Sequence, residues 1–107
     1  MTFKKASNIN MTAFHFGYVT ASAAEIKKAL ELNYMLLYDD KTNIEFDVEL
    51  EDGTVFTIYD WKEWCCPGDE TIVQYHIGTH TLEDTFKVVD ALKAVGLNAY
   101  VEQPKYC

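Results

Sequence analysis

Alternation of apolar and acidic residues is the strongest pattern in this chain. Every second residue from position 44 to position 50 is apolar, and the residues between them are Glu45, Asp47 and Glu49. A two-residue period is typical of a strand with one buried face and one exposed face. Residues 55–61 form a second run of β-branched and aromatic residues after a turn-like segment. The two runs therefore predict a β-hairpin.

The loop of this hairpin could close in either of two registers. A two-residue turn at Asp52 and Gly53 would pair Leu50 with Val55, which would mix apolar and acidic residues on one face. A three-residue loop with Gly53 at positive φ pairs Leu50 with Thr54 instead. We choose this second register because it makes one face uniformly apolar. It places Ile44, Phe46, Val48, Phe56 and Ile58 on the inner face. It places Glu45, Asp47, Glu49, Thr57, Tyr59 and Trp61 on the outer face, with the three acidic residues exposed to solvent.

Two further segments are predicted to be helices. Ser22 and Glu25 have the spacing of a capping box, which begins a helix over about residues 23–32. Thr81 is a candidate N-cap for a second helix, which is expected to end at Gly96. The predicted buried stripes are Ile26, Ala29 and Leu30 in the first helix and Leu82, Phe86, Val89 and Leu92 in the second.

The remaining runs complete a mixed fold. Residues 12–19, 71–79 and 98–102 are strand-like, and residues 34–42 are interpreted as a loop. The order is then strand, helix, three strands, helix, strand. We expect an α+β fold with a largely antiparallel sheet of four to five strands and two helices on one face. Residues 1–107 are expected to form a single domain.

Charge and composition narrow the classes of partner. The net charge is −8, and all nine basic residues are lysines. Arginine supplies the bidentate contacts to phosphates and guanine edges, so direct nucleic-acid binding is not expected. The acidic charge has two interpretations: simple solubility, or docking on a basic partner.

Location is inferred from what the sequence lacks. No apolar run is long enough for a membrane span, and residues 1–10 lack the apolar core of a signal peptide. Cys65, Cys66 and Cys107 are an odd number without a metal-binding spacing, which fits a reducing compartment. We expect a cytoplasmic protein without membrane contact.

Few residues suggest chemistry. His76 and His80 could bind a metal only if their strand stayed regular, so a metal site is not favoured. Asp60 continues the inner face, where it could accept hydrogen bonds from backbone amides or from Tyr75. The alternative is a catalytic carboxylate with a perturbed pKa. No pair of nucleophile and base is indicated, so we expect neither an enzyme nor a cofactor.

Aromatic residues point instead to binding. Tyr59, Trp61, Trp64 and His76 could share the outer face or its rim, where exposed rings anchor a partner protein or a stacked base. Packing of the same rings beneath residues 34–42 is the alternative. The candidate binding residues are Glu45, Asp47, Glu49, Tyr59, Trp61, Trp64 and His76.

Two sequence blocks carry a resemblance to known proteins. Residues 52–63, which include Ile58-Tyr59-Asp60-Trp61-Lys62, and the later Tyr75-His76-Ile77-Gly78 resemble a group of small uncharacterised proteins from bacteriophages and mobile elements. Residues 17–22 also look like the amino-terminal segment of that group. The present chain has Tyr75 where tryptophan is usual, and it lacks the Phe-Gly-x-Pro-like end of the first helix.

The resemblance implies a phage accessory protein that acts in the host cell. We expect it to counter host defence without catalysis, by blocking a host protein with its acidic and aromatic sheet face, as an anti-CRISPR protein would. The alternative is sequestration of a small nucleotide signal by the aromatic rim and the amides near Gly78, at the interface of a homo-oligomer. A small metal-dependent or Asp60-dependent enzyme is the third hypothesis.

Overall fold

The computed structural model of the chain describes residues 2–37, 41–61 and 68–102. Trp64 and the three cysteines lie outside these ranges, so the predictions for them are not addressed below. The described chain forms seven strands and two helices. In chain order they are β1 (Phe3–Lys5), β2 (Ala13–Ser22), α1 (Ala23–Leu30), β3 (Met35–Leu36), β4 (Ile44–Leu50), β5 (Val55–Tyr59), β6 (Ile72–Thr79), α2 (Leu82–Ala94) and β7 (Asn98–Val101). No helix among them is long and apolar enough to cross a membrane.

All described strands belong to one antiparallel sheet. Its order is β1-β4-β5-β6-β2-β7, and β3 also pairs with β4. The five predicted strands and both helices occur in the predicted order, which confirms the α+β class. The predicted strand number is wrong, because the sheet has seven strands rather than four or five. The sequence does not predict β1 and β3, since strands of three and two residues are too short to show alternation.

The predicted hairpin register is confirmed. Phe46 lies opposite Ile58, and Val48 lies opposite Phe56. The amide of Leu50 donates to the carbonyl of Thr54 at 2.8 Å. The loop residue Gly53 has a φ of 92°, as the three-residue loop requires. All five residues predicted for the inner face are buried.

Both helices contribute to the same core as the inner sheet face. Ile26 and Leu30 of α1 and Val88 and Leu92 of α2 are buried in one cluster with the inner strand residues. The capping box of α1 is present. Gly96, after α2, has a φ of 89°, and the helix end is closed by the amide of Leu97 donating to Leu92.

The predicted buried stripe of α2 is wrong at Phe86, which is 50% exposed. The buried positions include Thr85, Val88 and Ala91 instead. The helix lies very close to β2 at Gly17, where an added Cβ would come within 2.6 Å of Thr85 Cγ2. Because α2 approaches the sheet this closely, its small side chains face the sheet and the phenyl ring of Phe86 lies on the exposed side.

Candidate functional site

Aromatic rings cover much of the outer face of the sheet. His76 is their centre, with its ring centroid 4.4 Å from Phe14, 5.2 Å from Tyr18, 5.7 Å from Tyr59 and 6.1 Å from Trp61. The register explains the cluster, because Tyr18 and Tyr59 lie opposite His76 on its two neighbouring strands. Tyr100 of β7 stacks on Tyr18 at 5.6 Å and extends the cluster. We call the set Phe14, Tyr18, Tyr59, Trp61, His76 and Tyr100 the aromatic face.

The histidines do not assemble into one site. Burial lowers the pKa of His76, so its imidazole is neutral at pH 7 and packs as an aromatic ring. The Nε2 atom of His80 lies 2.9 Å from the carbonyl of Asn10. His15 Nδ1 lies 2.9 Å from the carbonyl of Ala13. Within the described ranges, no group of three or more His, Cys, Asp or Glu side chains is placed to hold a metal ion.

The acidic residues of β4 lie on the outer face, as predicted, but they are only partly exposed. The segment after β1 stays beside β4, where the amide of Ala6 donates to the carbonyl of Asp47 at 3.1 Å. On β1 itself, Lys4 Nζ pairs with Glu49 Oε2 at 3.3 Å. The three residues therefore lie on the predicted face but are less exposed to solvent than expected, because an unpredicted strand adjoins that row.

Glu45 and Asp47 form a coupled pair. Burial raises the pKa of Glu45 to about 8, and the hydrogen bond with Asp47 and the charge of Asp47 act in the same direction. The Oδ1 atom of Asp47 is buried and receives no hydrogen bond from the described residues. With a pKa near 8, Glu45 holds its proton over much of the range around neutral pH and can act as a hydrogen-bond donor.

A cavity of about 430 Å³ opens beside this pair and the aromatic face. Residues of the segment between β1 and β2 line one side of the cavity, and residues of the sheet line the other. Gly78 lets the Thr57 side chain pack closely on the sheet side, because an added Cβ would lie 2.5 Å from Thr57 Oγ1. The lining consists of residues 9–13 together with Thr42, Glu45, Thr57, Tyr59, Trp61 and Gly78. Cavities of roughly 300–1000 Å³ are typical of ligand sites.

Two exposed apolar side chains line this cavity. Trp61 is 41% exposed, and Met11 is 88% exposed. Met11 has a φ of 69° in a turn that the amide of Thr12 closes on Ile9. A non-glycine residue in the left-handed region costs roughly 1–2 kcal/mol. Such strain is commonly retained at binding segments, so Met11 and Trp61 are candidate contact residues.

A second cavity, of about 360 Å³, lies between the β4–β5 loop and α2. Its lysine, Lys87, is already engaged, since Nζ lies 3.0 Å from Asp52 Oδ2 and 3.2 Å from Thr54 Oγ1. None of the candidate binding residues lines it. The outer-face cavity is therefore the stronger candidate site.

Asp60 has a structural role. Its Oδ1 accepts from the amides of Asn43 and Ile44, each at 2.8 Å, and its Oδ2 accepts from Asn43 Nδ2 at 2.9 Å. The interpretation of Asp60 as an acceptor for backbone amides is confirmed. The carboxylate closes the open end of the β4–β5 hairpin and does not line the cavity.

The structure brings some predicted residues together and separates others. Tyr59, Trp61 and His76 are in contact, and Glu45 joins them at the cavity. Glu49 lies at the β1 side of the sheet. Gly78 lies inside β6, opposite Thr57 and Phe14, as the predicted strand over residues 71–79 implies.

The sequence analysis missed Phe14, Tyr18 and Tyr100 as site residues. The alternation of aromatic residues in β2 was visible, but which strand would adjoin it was not. Comparisons with models of protein families, with curated proteins and with solved structures found no match.

Proposed function

We propose that this protein is a non-enzymatic binding protein that blocks a basic surface of another protein with the outer face of its sheet. The supporting observation is Trp61, 41% exposed beside the coupled Glu45 and Asp47 at a cavity. Partly exposed tryptophan is the residue type that most often anchors protein interfaces. A net charge of −8 favours a basic partner, because it steers such a partner toward the surface.

The polar groups of this region support binding rather than catalysis. His76, the best-placed base, packs among four aromatic rings. Asp60 is held by three hydrogen bonds away from the cavity. Aromatic rings with few polar groups instead form a surface for a partner.

The resemblance of residues 52–63 and 75–78 to phage and mobile-element proteins suggests the partner's origin. Small acidic phage proteins of this kind often occupy a component of the host. We therefore propose that the partner is a host defence protein and that the complex forms in the host cytoplasm.

Sequestration of a small nucleotide is the second candidate function. The exposed indole of Trp61 at the cavity favours it, because a base could stack there. The carboxyl groups of Glu45 and Asp47 act against it, since they repel phosphate at the same site. For this reason protein blocking ranks first.

Retention of bacterial proteins on immobilised wild-type protein tests the proposal. Trp61→Ala is the test variant, and Phe86→Ala is the matched control, because Phe86 is also an exposed aromatic residue but lies on α2. We expect wild type and Phe86→Ala to retain the same basic protein at low salt and Trp61→Ala to retain several-fold less. Salt should release it, because the screening length falls from about 10 Å at 0.1 M to about 3 Å at 1 M.

Two results would contradict protein blocking. One is equal retention by Trp61→Ala and wild type. The other is retention of a nucleotide without any protein, identified by mass spectrometry of the eluate, which would favour sequestration.

A further inference from the structure

The outer-face cavity combines aromatic walls with a carboxyl group. Tyr59 and Trp61 contact each other with ring centroids 6.2 Å apart, and both line the cavity together with Glu45. Asp47 lies beside Glu45 on the same face of β4 and raises its pKa. Aromatic rings and a carboxylate around one space are the elements that recognise organic cations.

The chain already places a cation beside these rings. Lys41 Nζ lies over the indole of Trp61, 5.7 Å from the ring centroid. This contact shows that a positive group can lie against the indole.

The coupled carboxyl pair also favours a cation. Glu45 lies beside the acidic Asp47 and opposite Tyr59, whose pKa is raised by burial and by the charge of Glu45, so the phenol is neutral at pH 7. Neither neighbour compensates the charge of an ionised Glu45, and the cation that the structure places at this cavity, Lys41, lies over Trp61. A positive group in the cavity would supply that compensation and allow Glu45 to ionise.

We propose that this cavity binds the guanidinium side chain of an arginine on the partner protein, between the ring of Trp61 and the carboxyl of Glu45. The inference rests on the proposed function and names the group that the site recognises. Guanidinium fits better than ammonium because it is planar, stacks on aromatic rings, binds carboxylates through paired donors and is weakly hydrated.

Calorimetric titration with two small probes tests the arginine site without the partner. N-acetylarginine methylamide carries the cation, and N-acetylcitrulline methylamide has nearly the same shape without the charge. We expect the arginine probe to bind with millimolar affinity and the citrulline probe to bind roughly tenfold more weakly. Trp61→Ala should lower the affinity for the arginine probe several-fold, and Phe86→Ala should leave it unchanged.

Proton release on binding of the arginine probe is a second test, because a substitution that only alters the fold would not change it selectively. At pH 7 the arginine probe should displace the proton of Glu45, so the binding heat should depend on the ionisation enthalpy of the buffer. Its affinity should rise between pH 6 and pH 9. The variant Glu45→Gln keeps a hydrogen-bond donor beside Asp47 but cannot release a proton. In this variant the buffer dependence of the binding heat and the pH dependence of the affinity should disappear, and the affinity for the arginine probe should fall roughly tenfold.

Equal binding of the two probes, absence of binding at tens of millimolar, or unchanged affinity in Glu45→Gln would each overturn the arginine site. Such a result together with Trp61-dependent retention of a protein would leave the proposed function in place. Loss of protein retention would instead remove the proposed function, whatever the probes show.

Discussion

Asp60 and Glu45 are carboxylic acids whose surroundings differ in kind. Asp60 is fully buried and receives three hydrogen bonds from Asn43 and Ile44. Glu45 is half-buried and meets a second carboxyl group. The first arrangement stabilises the hairpin. The second leaves a group whose protonation a ligand can change, which is why we place function at Glu45.

Replacement of Asp60 by alanine should destabilise the fold strongly. The amides of Asn43 and Ile44 would lose their acceptor, and each unpaired buried donor costs about 1–3 kcal/mol. We expect the free energy of unfolding to fall by about 2–5 kcal/mol, measured by urea unfolding. The control Asp90→Ala, on the exposed side of α2, should change it by less than about 0.5 kcal/mol. A similar small change in Asp60→Ala would show that the two amides find other acceptors.

At the scale of elements, β2 organises both faces of the sheet. It pairs with β6 and with β7, and its register shifts between Phe14 and Gly17, where Phe16 has a φ of 66°. Phe14 lies beyond this shift, where it stacks on His76. On the inner face, Gly17 admits α2 at close range. One strand thus completes the aromatic face and positions the second helix.

The contact between Gly17 and Thr85 can be tested by a double-mutant cycle. Gly17→Ala would place a Cβ within 2.6 Å of Thr85 Cγ2 and should lower the free energy of unfolding. Overpacking of this kind costs about 1–3 kcal/mol. Thr85→Ser removes the clashing methyl but keeps the hydroxyl that bonds Thr79 Oγ1 at 2.6 Å.

In the Thr85→Ser background, Gly17→Ala should therefore cost about 1 kcal/mol less than in wild type. The comparison requires unfolding curves of wild type, both single variants and the double variant. Additive effects would argue that the packing of α2 on β2 is looser than the structure shows.

At the scale of the whole molecule, ionisation acts on stability in both directions. The pKa of Asp52 is lowered to about 2 by hydrogen bonds to Thr54 and Lys87, and that of Asp69 is lowered by Tyr34 and Lys27. Stability from such groups is lost as the pH falls below about 4. The pKa of His76 is lowered by burial, so its contribution is lost as the pH falls below about 6.5.

Ionisation of Glu45 affects stability in the opposite direction, so its contribution is lost as the pH rises. Its pKa rises from 4.5 to about 8 on folding, so the folded state binds the proton more tightly than the unfolded state. The contribution of Glu45 to stability is complete below pH 4.5 and is lost as the pH rises toward 8.

The variant Glu45→Gln should remove this pH dependence of stability. Relative to this variant, wild type should lose on the order of 1–3 kcal/mol of unfolding free energy between pH 5 and pH 8. Urea unfolding of both proteins across this range measures the difference, and parallel curves would contradict the coupled pair.

The sequence alone determined the features that depend on neighbours in the chain. The three-residue loop at Gly53, the capping box at Ser22 and the end of α2 at Gly96 each involve a few consecutive residues. The position of Trp61 and Glu45 on the outer face also follows from the alternation. Backbone sterics and the two-residue period of a strand act locally, so the printed sequence is sufficient for them.

Only the tertiary structure decided what surrounds that face. The place of β2 beside β6 brings Phe14 and Tyr18 to His76, and the segment from β1 to β2 lines the cavity together with Glu45. The exposure of Phe86 follows from the approach of α2 to Gly17. These features depend on contacts between residues far apart in the chain, and no local pattern specifies which strand edges meet. The partial burial of the acidic row, and with it the raised pKa of Glu45, is a property of the assembled sheet.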